Sequence, residues 1–197
     1  MFFVFLPQNL NFINMEKKIL VIVDAQNDFI DGALGSDAAK ACIANICEKI
    51  GNFKDGLIIT TQDTHKSDYL NTKEGVNLPV EHCIENTYGW GINREVAVSI
   101  VSSASMNNND YKFVYKPTFG STDLMAAIES YTNGEEFTIT FMGFCTDICV
   151  ISNVLMTKAI FYDKANINVE STCCAGVTEE KHNAALEVMK SCQINVI

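Results

Sequence analysis

The sequence predicts an α/β protein with three layers, in which helices cover both faces of a doubly wound, mainly parallel sheet of six strands. Short apolar runs alternate along the chain with longer segments of helical apolar spacing. The first run, KKILVIVD at residues 17–24, is continuously apolar until its final acid, as is typical of strands buried on both faces. No GxGxxG or P-loop follows this run, so the sequence does not support a nucleotide or flavin cofactor.

The predicted helices and strands follow from the spacing of apolar residues, from helix-capping residues and from glycines and prolines that interrupt regular structure. The predicted strands are 17–24, 55–63, 111–117, 135–144, 165–170 and the C-terminal INVI. The predicted helices are 36–51, with a Ser or Asp cap and a terminal Gly, and then 121–132, 146–161 and 177–192. Residues 64–91 show few periodic signals, and a loop of this length inside a compact domain is usually functional.

Length and charge limit the classes of function. A chain of 197 residues with 48% hydrophobic content fits one folded domain, predicted here over residues 17–197. The net charge of −10 repels phosphate backbones, which argues against nucleic acid as a partner. The sequence has no basic amphipathic helix and no long apolar run, so a membrane is not predicted as a partner either.

Residues 1–16 are predicted to be an N-terminal extension. The segment is apolar, but it lacks an early Lys or Arg and a small-residue cleavage site, so it fits a secretory signal poorly. Two alternatives are translation from Met15 and an arm that packs on a neighbour. The eight cysteines form no visible disulfide framework, which indicates free thiols in a reducing, cytoplasmic compartment.

Polar and reactive side chains follow four of the predicted strands. Asp24 ends the first strand, Asp63 and His65 follow the second, Lys116 ends the third, and residues 143–149 follow the fourth. Open α/β sheets bind ligands beyond the carboxyl ends of their strands. We therefore expect these groups to meet at one edge of the sheet.

Cys149 is the candidate nucleophile. It lies in the first turn of a predicted helix, where backbone N–H groups and the helix dipole favour a thiolate. Lys116 is expected to stabilise the thiolate further, Asp24 to accept the thiol proton, and backbone N–H groups from Cys145 to Cys149 to hold an oxyanion. Together these are the parts needed for acyl transfer. The alternatives are a buried core thiol and a redox pair of Cys145 with Cys149.

A second cluster contains Asp63, His65 and His82. Asp63 and His65 alternate on an extended segment and so face one way, and His82 comes from the long loop. Two imidazoles and a carboxylate are common Zn²⁺ ligands, although ordinary loop hydrogen bonds are an equal alternative. The remaining histidine, His182, is predicted to be a solvated surface residue on a helix. Phe29 and Trp90 are candidates to cover an apolar ring, with ordinary core packing as the alternative.

Several motifs in order carry a family resemblance: VIVDAQNDFI, TTQDTH, LPVEHC, VYKPTFGST and GFCTDICV. They resemble the cysteine hydrolases of the isochorismatase-like superfamily, and nicotinamidases in particular, over residues 17–197. The resemblance implies an isochorismatase-like fold and a catalytic triad of Cys149, Asp24 and Lys116. It also implies a cis peptide between Phe144 and Cys145, which would aim the N–H groups of Cys145 and Cys149 into the oxyanion hole.

The same resemblance implies a divalent metal ion, commonly zinc, on Asp63, His65 and His82. In metal-bearing members the ion holds the pyridine nitrogen of the substrate, and the family pattern suggests a homo-oligomer, a dimer or a tetramer. Nicotinamidases often have an aromatic residue where this chain has Thr64, and often read Trp-Pro-x-His-Cys where this chain has the longer LPVEHC. Pocket aromatics are then expected from elsewhere, with Tyr69, Tyr88 and Trp90 as candidates.

The predicted function is that of a cysteine amidohydrolase that works through a thioester. The substrate implied by the resemblance is nicotinamide, which would yield nicotinate and ammonia. The alternatives are a related hydrolase of another small amide and a non-catalytic metal-binding homologue.

Overall fold

The computed structural model describes residues 16–197, so the predicted N-terminal extension lies outside the described residues except for Glu16. Within that range, six strands form one parallel sheet in the order β3-β2-β1-β4-β5-β6. The strands are β1 Lys17–Val23, β2 Leu57–Asp63, β3 Asp110–Lys116, β4 Phe137–Phe144, β5 Ala165–Ala175 and β6 Asn195–Val196. The predicted doubly wound α/β sheet is confirmed, and all of its strand pairs are parallel.

Helices cover both faces of this sheet. They are α1 Asn27–Ile30, α2 Asp37–Asn52, α3 Lys73–Asn77, α4 Arg94–Met106, α5 Thr122–Thr132, α6 Ile151–Phe161 and α7 Glu179–Ser191. Helix α2 packs against α1 and α4, whereas α5, α6 and α7 pack in series on the opposite face. The caps at Ser36 and Ser121 lie where the sequence predicts helix starts, and each side chain accepts a backbone N–H bond.

Helix α4 has no counterpart among the predicted elements. Its buried residues Val96, Ile100 and Ser103 recur at helical spacing, and Asn93 caps its first turn by accepting from the N–H groups of Glu95 and Val96. The prediction missed this helix because its serines and alanines weaken the apolar contrast. The long segment before it also contains structure, namely a 3₁₀ turn at Tyr69–Asn71 and α3.

Strand β5 is five residues longer than predicted and ends at Ala175 rather than residue 170. A register shift opposite Phe141 and Gly143 lets the strand continue past an irregularity, so Cys173 and Cys174 are buried in the sheet. All eight cysteines lie within the described residues and are free thiols. Across residues 16–197, every helix is too short or too polar to cross a bilayer.

Candidate active site

Asp24 lies immediately after β1 and is fully buried. Its φ of 49° is a left-handed conformation that residues other than glycine rarely adopt. Thr61 on the neighbouring strand β2 fixes it there, because the backbone N–H of Asp24 donates to the Thr61 carbonyl at 3.2 Å and Asp24 Oδ1 accepts from the Thr61 hydroxyl at 2.7 Å. The second carboxylate oxygen is thus left to face the centre of the site.

Lys116, the last residue of β3, is the cation at that centre and is 1% exposed. Its Nζ lies 2.7 Å from Asp24 Oδ2 and donates to the Thr118 carbonyl at 3.1 Å. The same nitrogen lies 3.4 Å from Asp63 Oδ1 and 3.5 Å from Cys149 Sγ. One ammonium group therefore contacts the carboxylate, the thiol and the first residue of the predicted metal cluster.

Cys149 lies in a π-helical turn, Thr146–Val150, that leads into α6. The thiol is 4% exposed, lines the main cavity and lies 3.5 Å from Lys116 Nζ, the ammonium that also contacts Asp24 Oδ2. Within the turn, the N–H groups of Ile148 and Val150 both donate to the Cys145 carbonyl at 3.1 Å. The structure thus brings Asp24 and Cys149 together around Lys116, at the strand ends where the sequence places them.

Electrostatics at Cys149 differ from the expected stabilised thiolate. Burial raises the pKa of the Cys149 thiol well above its usual range, and the negative charge of Asp24 adds to this effect and outweighs Lys116. Burial also raises the pKa of Asp24, although the ammonium of Lys116 opposes it. Burial alone would lower the pKa of Lys116, but the negative charges of Asp24 and Asp63 outweigh it and raise that pKa. Burial thus favours the protonated thiol, while the neighbouring carboxylates favour the charged ammonium.

The chain reaches Cys149 through a segment that requires glycine. Gly143 has a φ of +119°, and a Cβ atom there would lie 2.0 Å from the Val23 carbonyl oxygen. The peptide bond between Phe144 and Cys145 is cis, as the family resemblance implies.

The candidate metal cluster has four possible donors, one more than the three predicted. Ligand atoms of Asp63, His65, His82 and Glu74 all lie within 4.8 Å of one another. Asp63 Oδ2 is 3.0 Å from His65 Nε2 and 3.5 Å from His82 Nε2, while Glu74 Oε1 is 3.6 Å and 3.9 Å from the same two nitrogens. Two imidazoles and two carboxylates around one point suit Zn²⁺ or a similar divalent cation.

Two features prepare these side chains for a cation. His82 Nδ1–H donates to the Val80 carbonyl at 2.8 Å, which directs Nε2 towards Asp63 and Glu74. Burial alone would raise the pKa of Asp63, but hydrogen bonds with His65 and His82 outweigh it and hold that pKa well below its usual range. Imidazole nitrogens and carboxylate oxygens thus converge, and a bound cation would replace the protons that they share.

The sequence prediction missed Glu74. It lies in α3, a five-residue helix that Thr72 caps by accepting from the Gly75 N–H at 3.0 Å. The available signal was a carboxylate in the long loop between His65 and His82. Spacing alone does not distinguish Glu74 from Glu81 or Glu85, because only the folded loop decides which acid faces inward.

The prediction also missed Gln26, whose fully buried side chain positions Asp63. Gln26 Oε1 accepts from the Asp63 N–H at 2.7 Å, and its Nε2 donates to the Asp63 carbonyl at 2.9 Å. The same Nε2 donates to the Trp90 carbonyl at 2.8 Å. Gln26, two residues after Asp24 in the first motif, therefore holds the backbone of Asp63 in place.

A cavity of about 700 Å³ opens above Cys149 and the metal cluster. Its walls are largely apolar, and the polar groups at its floor include Asp63, His82 and Glu74. Phe29 lines it as predicted and contacts His82 edge to face, with ring centroids 5.7 Å apart.

The other three predicted pocket aromatics, Tyr69, Tyr88 and Trp90, do not line this cavity within the described part of the chain, and Tyr88 is 78% exposed. Tyr69 is fully buried behind the metal cluster, where it packs on His65 and His82 and donates to the Leu78 carbonyl at 3.0 Å. Trp90 lies near the sheet edge, where its Nε1–H donates to Thr64 Oγ1 at 2.9 Å. Thr64 fills the position of the usual aromatic residue, and its hydroxyl binds the indole on that side.

His182 is not the solvated residue predicted. It is half-buried on α7, with Nδ1 2.8 Å from the hydroxyl of Thr146 at the start of the π turn. Burial lowers its pKa. This contact ties α7 to the turn that carries Cys149.

Comparison with known proteins agrees with this geometry. The family described as the isochorismatase domain matches residues 18–197. Nicotinamidase of Saccharomyces cerevisiae is 22% identical over 91% of this chain and 99% of its own length. Among solved structures, nicotinamidase/pyrazinamidase of Bacillus subtilis has a TM-score of 0.75 at 23% identity, covering 91% of this chain and 98% of that one. Pyrazinamidase of Pyrococcus horikoshii in complex with zinc has a TM-score of 0.69 at 23% identity, covering 92% and 98%.

The fold and the buried cluster of Cys149, Asp24 and Lys116 define the class of protein: a parallel α/β protein with a thiol site at its strand ends. Within that class, the chain belongs to the isochorismatase family.

Proposed function

We propose that this protein hydrolyses nicotinamide to nicotinate and ammonia through a thioester on Cys149. The coarser function, an amidohydrolase that acts on non-peptide C–N bonds, is indicated by the family and by the two curated nicotinamidases it matches. The observation that carries the proposal is the contact of Lys116 with both Asp24 and Cys149, where the thiol lines a cavity.

The first half of the reaction forms the acyl-enzyme. Asp24 takes the thiol proton as the Cys149 sulfur attacks the amide carbonyl, so that a C–S bond forms and the carbonyl oxygen becomes an oxyanion. The N–H groups of Cys145 and Cys149 are assigned to that oxyanion, and the Lys116 ammonium stabilises the negative charge of the site. The C–N bond then breaks, and Asp24 gives its proton to the departing ammonia.

The second half releases the acid. A water molecule attacks the thioester while Asp24 accepts its proton, the C–S bond breaks, and the proton returns to the Cys149 sulfur. The raised pKa of the Asp24 carboxyl suits a group that both accepts and donates a proton in each cycle. The apolar cavity limits bulk water around the sulfur.

Asp63, His65, His82 and Glu74 are assigned to a divalent metal ion, with zinc as the proposed identity. The fit rests on four converging donors of the types that zinc prefers, and a zinc complex exists of the Pyrococcus horikoshii neighbour. When bound, the ion supplies a positive centre that attracts a lone pair of the substrate. The residues around it orient the ring by packing, Phe29 among them.

Replacing Glu74 with Gln is expected to weaken metal binding by roughly 10- to 100-fold, because one anionic donor is lost while the shape is kept. Metal content after dialysis and titration calorimetry of the purified protein measure the effect directly. Glu85→Gln is the matched control, since Glu85 is a partly exposed carboxylate that pairs with Lys66. Equal metal affinity in the Glu74 variant and the wild type would remove Glu74 from the site.

Another small amide is the second candidate substrate. Trp90 is turned away from the cavity, and about 700 Å³ leaves room for a ring with substituents. The decisive screen measures ammonia release from nicotinamide, pyrazinamide and larger or acidic aromatic amides, with and without a chelator. We expect the highest kcat/KM for nicotinamide and a loss of activity with chelator. A larger amide as the best substrate would favour the second candidate, and no release from any amide would favour a non-catalytic metal-binding homologue.

A cytoplasmic location is part of the proposal. It is supported by eight free thiols, several of them half-buried or fully buried, which a reducing compartment preserves.

A further inference from the structure

Strand β3 forms one edge of the sheet, and among the described residues β2 is the strand that pairs with it. Asp110 N–H donates to the Gly56 carbonyl, and the Lys116 carbonyl accepts from the Thr64 N–H, so both of these residues point their backbone groups towards β2. Alternation along a strand then directs the N–H and C=O groups of Tyr111, Phe113 and Tyr115 away from β2. Three residues thus present donors and acceptors at an open edge, where another strand can pair.

The same three residues form an exposed aromatic row, here called the β3 edge face. Tyr111, Phe113 and Tyr115 are 51%, 40% and 54% exposed. Tyr111 contacts Phe113 edge to face, and Tyr115 packs on Trp90 with ring centroids 5.5 Å apart. With about half of each residue exposed, the row presents roughly 300 Å² of largely apolar surface, which is the scale of patches that mark interaction sites.

Beside this row, a groove runs between β3 and α5. It is lined by Lys112, Phe113, Val114 and Tyr115 of β3, by Ala126 and Ala127 of α5, and by Asp123 at the first turn of α5. Because α5 returns from the end of β3 to the start of β4, it runs antiparallel to β3. Asp123 therefore lies towards the C-terminal end of β3 and Lys112 towards its N-terminal end.

We propose that the β3 edge binds the β3 edge of a second copy of this chain, antiparallel about a twofold axis at Phe113. The row Tyr111, Phe113, Tyr115 reads the same in both directions, so Phe113 faces its own copy and Tyr111 faces Tyr115 of the other chain. An isologous interface requires this self-complementarity. All three residues point their backbone groups outward, so the facing pairs exchange hydrogen bonds and the two sheets become one continuous sheet.

Charges support the same pairing. The twofold axis brings the N-terminal half of one β3 beside the C-terminal half of the other. Lys112 of each copy then lies near Asp123 of the other, which gives two symmetric ion pairs across a pair of chains that each carry a net charge of −10. Twofold symmetry pairs the positive end of one groove with the negative end of the other, whereas a partner without this symmetry would not require both charges.

The first test is oligomeric state by light scattering and sedimentation equilibrium over a dilution series of the full chain. We expect a dimer, and we expect Phe113→Lys to give a monomer because it places two ammonium groups opposite each other at the axis. Val188→Lys is the matched control, since Val188 is 47% exposed on α7 at the far side of the sheet. Circular dichroism of each variant verifies folding.

The second test is a charge swap. Lys112→Glu and Asp123→Lys are each expected to raise the dimer dissociation constant by about tenfold or more, because each single change places like charges together twice. The double variant restores opposite charges and is expected to restore the dimer. A monomeric wild-type chain, as would result if another segment of the same polypeptide covered the edge, would overturn the proposal. So would a dimer that Phe113→Lys leaves intact or a double variant no tighter than the single ones.

Discussion

Replacing Cys149 with alanine is expected to lower the rate of amide hydrolysis by about 10³-fold or more, with the fold retained. The sulfur is the proposed site of the thioester, and it lies 3.5 Å from Lys116 Nζ, the ammonium that also contacts Asp24. The fold is retained because the change removes one buried atom next to an existing cavity. Ammonia release under saturating substrate gives kcat, and circular dichroism reports the fold.

The matched control is Cys192→Ala, at the end of α7, which is expected to keep wild-type kcat. Rapid acid quenching of the wild-type enzyme followed by mass spectrometry should find the acyl group on the peptide that contains Cys149. Undiminished turnover in the alanine variant, or an acyl group on another cysteine, would show that the proposed mechanism is wrong.

Replacing Lys116 with methionine is expected to lower the free energy of unfolding by about 3–5 kcal/mol and to abolish turnover. Lys116 is 1% exposed, and its ammonium lies 2.7 Å from Asp24 and 3.4 Å from Asp63. Without it, two buried carboxylates lose their shared counter-charge, and Asp24 becomes protonated at neutral pH. A protonated Asp24 cannot accept the thiol proton, so catalysis is lost together with stability.

Urea unfolding at one fixed protein concentration measures the stability change. Lys190→Met provides the control, because Lys190 is half exposed and pairs with Glu187 on the surface of α7. A loss of about 0–1 kcal/mol is expected there. Equal destabilisation by the two changes would mean that the buried position of Lys116 has no special electrostatic role, and full activity of Lys116→Met would remove it from the mechanism.

The sequence was sufficient to predict which strands carry the reactive groups. Strand signals that end in Asp24, Asp63 and Lys116 are local, and parallel strands place their carboxyl ends together whatever the details of packing. Helix α4 was missed because serines and alanines blur its periodicity, although its cap and buried positions are regular.

The loop between β2 and α4 marks where prediction from the sequence stopped. Glu74 and His82 meet across eight residues of chain because α3 and the turns around it fold back on β2. Trp90 was predicted in the pocket, but its indole is held by Thr64 and lies beside Tyr115 at the sheet edge. Both outcomes depend on contacts between segments that are distant in the chain. The spacing of apolar residues carries no information about such contacts.

By itself, the sequence determined the α/β class, the six strands and the placing of Asp24, Lys116 and Cys149 at or just after strand ends, because these follow from short-range periodicity and strand direction. Only the tertiary structure decided that Glu74 joins the metal cluster, that Gln26 holds Asp63, and that burial raises the pKa of the Cys149 thiol. The physical reason is that side-chain contacts and desolvation are set by packing between distant segments, which no local pattern of residues encodes.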